Sequence, residues 1–382
     1  MKVLMLGWEL PPFFAGGVGI VCNELSKALT EKGVEITFVM PSGPKGMNVA
    51  HIKKILVANN LVADGRIKFY GIDSLLAAYQ SEEEYAAAYK KSLKENADSS
   101  NRPLYGKNML EEVYRFAAKV ALIAEMEDFD VIHAHDWTTF PAGIAAKNVS
   151  GKPLIIHVHI TEFDKTGGMH ANPDVYRIEK LGMDEANIVI AVSDLIRQRC
   201  INDYYADGRK IRVVHNAATS MDESFIYDGG KLKEKDKIVL FAGRITLQKG
   251  PDYFIEAAKM VLDKNPNVTF IMAGTGDMLT PMINKAAAMG IGHKFIFPGF
   301  YSRIDAEKLF SMADVFVMPS VSEPFGVVPF EAQIKRTPTI ISRQSGIAEV
   351  LNHCLKVDFW DVHDLAAKML ALLQYPTLNK NL

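Results

Sequence analysis

IVLFAGRITLQKGPDYFIEAA, residues 238–258, holds the fold in miniature. An apolar run at 238–242 ends at Gly243, a short loop presents Arg244 and Lys249, and Pro251 stands where a helix would start. The same strand–loop–helix rhythm extends outward in both directions. Toward the N-terminus, strand-like runs fall at 2–6, 35–40, 130–135, 153–160, 187–192 and 211–215, with helical periodicity at 18–31 and 110–127. Toward the C-terminus they recur at 268–273, 294–297, 315–318 and 339–342. Continuous apolar strands separated by helices are buried on both faces, which calls for parallel sheets. The expected class is therefore α/β, with two doubly wound Rossmann-like domains facing a deep cleft.

The chain has 382 residues, more than one compact core accommodates. The polar stretch MDESFIYDGGKLKEKDK, 221–237, has no apolar period and reads as a linker; a long surface loop is the other reading. This sets an N-terminal domain at 1–220 and a C-terminal domain at 238–382, with motion about the linker expected. A second irregular region, 81–107, with a charged helix and the run ENADSSNRP, reads as an insertion on the first domain.

Composition narrows the function. A formal net charge of −2 gives no bulk attraction for nucleic acid or anionic membrane. Three scattered cysteines, Cys22, Cys200 and Cys354, suit neither a disulfide framework nor a zinc ribbon, and point to a reducing compartment. The opening MKVLMLGWELPPFF lacks signal-peptide form, and no segment reaches the length of an integral membrane span. A cytoplasmic location is expected; oligomeric state is not readable.

Candidate chemistry collects at strand ends, where open α/β sheets bind ligands. After the first strand, WELPPFFAGGVGI places Gly16, Gly17 and Gly19 before a helix, either for a phosphate on bare N–H groups or for tight packing. In FAGRITLQKG, Arg244 and Lys249 form a candidate diphosphate clamp, a planar fork beside a point charge; a solvated basic loop is the plainer reading. In MPSVSEPFGVVPFEAQ, Glu323 is expected at the strand end and Glu331 two turns along the helix, as acceptors for sugar hydroxyls or as compensation of the helix dipole. SRQSGIAEV adds Ser345 and Gly346 as N–H donors to phosphate.

Histidines mark the first domain: VIHAHDW and LIIHVHITEFDK carry His133, His135, His157 and His159, with Asp136 and Trp137. Two His-x-His pairs with nearby carboxylates are also a candidate zinc ligand set. Side-chain alternation along a strand is expected to split each pair, sending His133 and His157 toward helices and His135 and His159 toward the cleft.

These motifs together resemble the retaining glycosyltransferases of family 4, of GT-B fold, and the related glycogen and starch synthases. EPFGVVPFE, FAGRITLQKG and AGTGDM carry most of the resemblance, and HAHDW adds a synthase character. The resemblance implies that Arg244 and Lys249 hold the donor diphosphate, Glu323 the hexose and Glu331 the ribose. It places Gly243, Gly274, Phe325, Gly326, Val327 and Val328 against the donor, His159 near the scissile bond, and His135, Asp136 and Trp137 on the acceptor side. It implies no metal and no cofactor beyond the nucleotide-sugar co-substrate, an ADP- or UDP-hexose. Phe14 stands where the synthases carry a lysine, and the last crossing helix of the family is expected to be short or absent. The implied reaction is hexose transfer to a carbohydrate acceptor, an α-glucan by analogy; a small-sugar or lipid-linked acceptor and a non-catalytic nucleotide-sugar-binding protein are the alternatives.

Overall fold

The structure is a computed structural model and describes residues 1–8, 17–41, 63–64, 67–71, 82–95, 107–168, 170–217, 236–375 and 378. Gly16 and residues 221–235 of the expected linker lie outside these. The described chain divides into two compact units. One comprises Met1–Thr161, Asn172–Val192 and Ile196–Val214; the other comprises Glu162–Ala171, Ser193–Leu195 and His215–Leu382.

In chain order, the elements up to Val214 begin with β1 (Lys2–Leu6), α1 (Gly17–Glu31), β2 (Glu35–Met40), β3 (Ala63–Asp64), β4 (Ile67–Gly71), α2 (Glu82–Glu95) and α3 (Met109–Met126). They continue with β5 (Val131–His135), α4 (Phe140–Ser150), β6 (Leu154–Val158), α5 (Glu162–Lys165), α6 (Pro173–Glu185), β7 (Ile188–Ala191), α7 (Asp194–Asn202) and β8 (Ile211–Val213). The sheet of the first unit runs β3-β4-β2-β1-β5-β6-β7-β8; only β3 is antiparallel. Its strand order reverses between β1 and β5.

The second unit contains β9 (Lys237–Ala242), α8 (Pro251–Leu262), β10 (Val268–Ala273), α9 (Leu279–Ala288), β11 (Phe295–Gly299) and α10 (Arg303–Met312). These are followed by β12 (Val315–Met318), α11 (Val328–Ile334), β13 (Thr339–Ser342), β14 (Leu355–Val357) and α12 (Val362–Gln374). All strands are parallel, in the order β11-β10-β9-β12-β13-β14. This is the doubly wound pattern with its switch point between β9 and β12.

The period-2 geometry of strands explains why such apolar runs are needed. Val239, Phe241, Phe270, Met272, Val315, Val317 and Ile340 pack into one core layer with α8 and α12. Their neighbours Ile238, Leu240, Ile271, Ala273, Phe316, Met318 and Ile341 pack into the layer on the opposite face with α10. Helix boundaries follow local chemistry. Ser302 and Asp305 form a reciprocal capping box before α10, and Pro251 occupies the first turn of α8 after Gly250 in the left-handed region.

Candidate active site

In the second unit, the loops leaving β9 and β12 flank the switch point and are zipped together. The Val321 amide donates to the Gln248 carbonyl at 2.9 Å. Lys249, on the first loop, forms an ion pair with Glu323 on the second. The side chains are only 17% and 8% exposed, respectively, so solvent screens the pair weakly. The buried Ser320 hydroxyl adds a 3.3 Å bond to the same Glu323 oxygen. A third loop, after β13, braces the second: the Glu323 amide donates to the Gln344 carbonyl at 3.0 Å, and the Ile347 amide to Phe325 at 2.8 Å. Arg244 lies at the exit of β9, half-buried.

Two expectations for this region need correction. The Gly346 amide donates to the Glu323 carbonyl at 2.9 Å, so its N–H braces the loops rather than pointing to open space for phosphate. The Ser345 hydroxyl, an atom apart from the amide expected to meet phosphate, donates to the Ser342 carbonyl, 2.7 Å away. Glu331 lies in the first turn of α11, not two turns along. Gly326 delays the helix: its φ is 88°, and a Cβ there would come 2.8 Å from Glu323 Cγ. Burial pushes the Glu331 carboxyl above its ordinary range, while Arg303 opposes the shift. Phe325 is buried, and Val327 caps α11.

Gly243 and Gly274 use their amides to extend the sheet, donating to Ala273 at 3.0 Å and Gly299 at 2.9 Å. Their contribution is close backbone approach. Gly274 has φ 138°, and a Cβ there would run into the carbonyl oxygen of Gly243. Thr246, between the two candidate cations, keeps a buried hydroxyl without a hydrogen-bond partner. Sequence reasoning did not select Thr246 or Ser320; a hydroxyl in a loop has no pattern to distinguish it.

In the first unit the four histidines do not split. Residues two apart on a strand share a face, and β5 and β6 align His135 with His157. Ring centroids lie 4.2 Å apart for His133 and His135, 4.1 Å for His157 and His159, and 5.1 Å for His135 and His157. All four are buried on one face of the sheet, which corrects the expectation of two directions. Burial holds every ring below the ordinary histidine pKa: His133 at about 4, His159 at about 3, and His135 and His157 well below it. They are neutral at pH 7.

His135 Nδ1 and His159 Nε2 are 2.8 Å apart and share a hydrogen bond. His133 Nε2, His135 Nε2, His159 Nδ1 and both nitrogens of His157 are buried without partners. A buried polar group left in this way costs about 1–3 kcal/mol. Asp136 has φ 60°, a conformation Asp tolerates better than most residues, and its Oδ1 accepts from the His159 amide at 2.8 Å. Asp136 thus fixes the backbone that carries His159. Trp137 is buried beside it, and Gly17 opens α1.

Two doubly wound parallel sheets, each with polar side chains gathered at its switch point, define an α/β protein of the nucleotide-handling type. Residues 15–219, more than half of the chain, match the model of Glycosyltransferase Family 4, and residues 223–382 match that of glycosyl transferases group 1. The chain belongs to Glycosyltransferase Family 4; it has the GT-B fold and is a glycosyltransferase that uses nucleotide-sugar donors. It is 27% identical over 371 residues to an uncharacterized glycosyltransferase of Methanocaldococcus jannaschii, covering 92% of this chain and 83% of that one. To the glycogen synthase of Mycobacterium tuberculosis it is 25% identical over 391 residues, covering 98% and 87%. The solved structure of Anabaena HepE in complex with UDP and glucose superposes with a TM-score of 0.67 at 18% identity, covering 100% of this chain and 93% of that chain. No helix among the described residues is long and apolar enough to cross a membrane.

Proposed function

We propose that this glycosyltransferase moves a hexose, with glucose the first choice, from a UDP- or ADP-linked donor to a carbohydrate acceptor with retention of configuration. An α-glucan of the glycogen-synthase kind is the leading acceptor. The observation that carries the reading is the Lys249–Glu323 pair at the switch point of the second unit. It supplies a cation for the departing diphosphate and a carboxylate for sugar hydroxyls side by side, on loops braced by backbone hydrogen bonds. The glycogen synthase relative and the UDP and glucose of HepE agree with this choice of substrates.

Transfer then proceeds on the face from which the diphosphate leaves. The acceptor oxygen bonds to the anomeric carbon, the bond from that carbon to the phosphate oxygen breaks, and the acceptor's proton passes to the leaving phosphate. Lys249 and Arg244 stabilise the charge that develops on it. The resemblance assigns Glu331 to the ribose and His159 to the transferred sugar. A neutral imidazole suits the latter as a hydrogen-bonding group beside developing positive charge. These cations replace the divalent ion that other transferases place on the diphosphate. Activity is therefore expected to persist after brief chelation that strips Mg²⁺ and Mn²⁺; loss rescued by Mg²⁺ would refute the side-chain clamp.

The decisive experiment is a donor-by-acceptor screen on the purified chain, with the linkage and anomeric configuration of the product assigned by NMR. An α-linked glucosyl product from UDP- or ADP-glucose supports the reading. An inverted product, or transfer only from another sugar nucleotide, overturns it.

A further inference from the structure

We propose that His133, His135 and His157 form a binding site in the first unit for a first-row transition metal ion of the zinc type. The three residues offer ligand atoms that all lie within 4.8 Å of one another. Each is at least nine-tenths buried, and each has a ring nitrogen without a hydrogen-bond partner: Nε2 of His133, Nε2 of His135 and both nitrogens of His157. These are donor atoms shut away from water and gathered in one cluster. Division of each His-x-His pair between faces, as expected from sequence, would keep its members from sharing an ion. The shared face removes that obstacle.

His135 has the arrangement typical of a ligating histidine. Its Nδ1 is held by His159 Nε2 at 2.8 Å, while its Nε2 has no partner. With the proton on Nδ1, the Nε2 lone pair is left for the ion, as in metal sites where a neighbouring group fixes the tautomer of the ligand. His159 is in turn fixed by its backbone, which donates to Asp136. Cys22 Sγ lies within 4.8 Å of ligand atoms of His135 and His159, so a soft atom flanks the site. Imidazole donors beside sulfur select zinc, cobalt, nickel or copper over magnesium or calcium, with a water that enters together with the ion as the fourth ligand of a tetrahedral site. The test reads metal binding rather than turnover, so this proposal and the proposed function fail independently.

The test uses the full chain, expressed without a histidine tag and dialysed free of metal, then titrated with Co²⁺ and Zn²⁺. The expected result is one Co²⁺ per chain with the visible ligand-field absorption of a four-coordinate site, displaced by one equivalent of Zn²⁺. X-ray absorption of the zinc-loaded wild type should show imidazole nitrogens at about 2.0–2.1 Å. His133→Asn and His157→Asn should abolish stoichiometric binding. His159→Asn, which removes the orienting hydrogen bond and leaves the three ligands in place, should weaken it about 10–100-fold. The wild-type absorption measurement keeps the proposal testable if the variants fail to fold. Binding below one equivalent, a shell without imidazole, or undiminished binding in both ligand variants would overturn the site.

Discussion

The two units place polar side chains at the same topological position and stabilise them differently. In the second, the switch point between β9 and β12 holds an ion pair: Lys249 and Glu323 neutralise each other, and Ser320 adds a hydrogen bond. In the first, β5 at the switch point and its neighbour β6 hold four neutral imidazoles, with only one hydrogen bond between side chains. The ion pair places opposite charges side by side and keeps some exposure to solvent, 17% for the Lys249 side chain and 8% for Glu323. The histidines are deprived of charge by burial, and five of their ring nitrogens are buried without hydrogen-bond partners.

The largest test breaks the ion pair. Lys249→Ala is expected to lower kcat by about 10²-fold or more, as with other residues that stabilise a leaving charge. It also leaves Glu323 buried without its cation, which costs about 3–5 kcal/mol in a fully buried pair and less here because Lys249 is partly exposed. The double variant Lys249→Met/Glu323→Gln should regain most of that stability in urea unfolding while turnover stays low. Recovery of turnover together with stability would make the pair a structural device rather than a clamp. Arg244→Ala should lower kcat in the same direction.

The ion pair was not legible beforehand because 74 residues separate its members, and no local pattern announces a partner at that distance. Strands were legible wherever both faces are buried: β1, β2, β10, β12 and β13 match the apolar runs residue for residue. β14 was missed because three residues give no period, and β4 because its run IKFYG mixes a lysine and a glycine into five residues. Glu331 was placed too far along its helix because Gly326, with positive φ, postpones the helix to Val328. The histidine cluster was misread for a different reason: the spacing of two was visible, and its geometric meaning was inverted.

A second test separates backbone space from hydrogen bonding. Gly274→Ala forces a Cβ onto the Gly243 carbonyl at φ 138°. That backbone region alone costs about 1–3 kcal/mol for a residue other than glycine, before the clash is counted. The denaturation midpoint of the second unit should fall accordingly, and donor affinity should fall with it. An unchanged midpoint would mean that the loops leaving β9 and β10 readjust freely.

A third test uses pH. Burial raises the Glu331 pKa in the folded chain, so folding favours its protonated form. Its contribution to stability is therefore present at low pH and lost as pH rises through the raised value. Acceptance of ribose hydroxyls runs the other way: affinity for nucleoside diphosphate should fall as pH drops through that value, at a higher pH than an ordinary glutamate would give. Glu331→Gln should weaken binding about tenfold, by about 1.4 kcal/mol, and flatten the acid limb in calorimetric titrations. An unchanged acid limb in the variant would assign the pH dependence to another group.

The smallest expected effect returns to the first unit. Gly17 begins α1, and a Cβ there would meet nothing within 4 Å, in contrast to Gly274. Gly17→Ala should therefore leave stability unchanged or raise it by up to about 0.5–1 kcal/mol, since alanine loses less backbone freedom in a helix. This makes the variant a clean probe of whether donor phosphate approaches the bare amide, because no folding defect accompanies it. If phosphate does approach, the added methyl should raise donor KM a few-fold and leave kcat nearly unaltered, the pattern of a lost ground-state contact. Unchanged KM together with the small gain in stability would assign Gly17 to chain entry into α1 alone. Gly16 and Gly19 would then be the first-unit glycines left to test against donor phosphate.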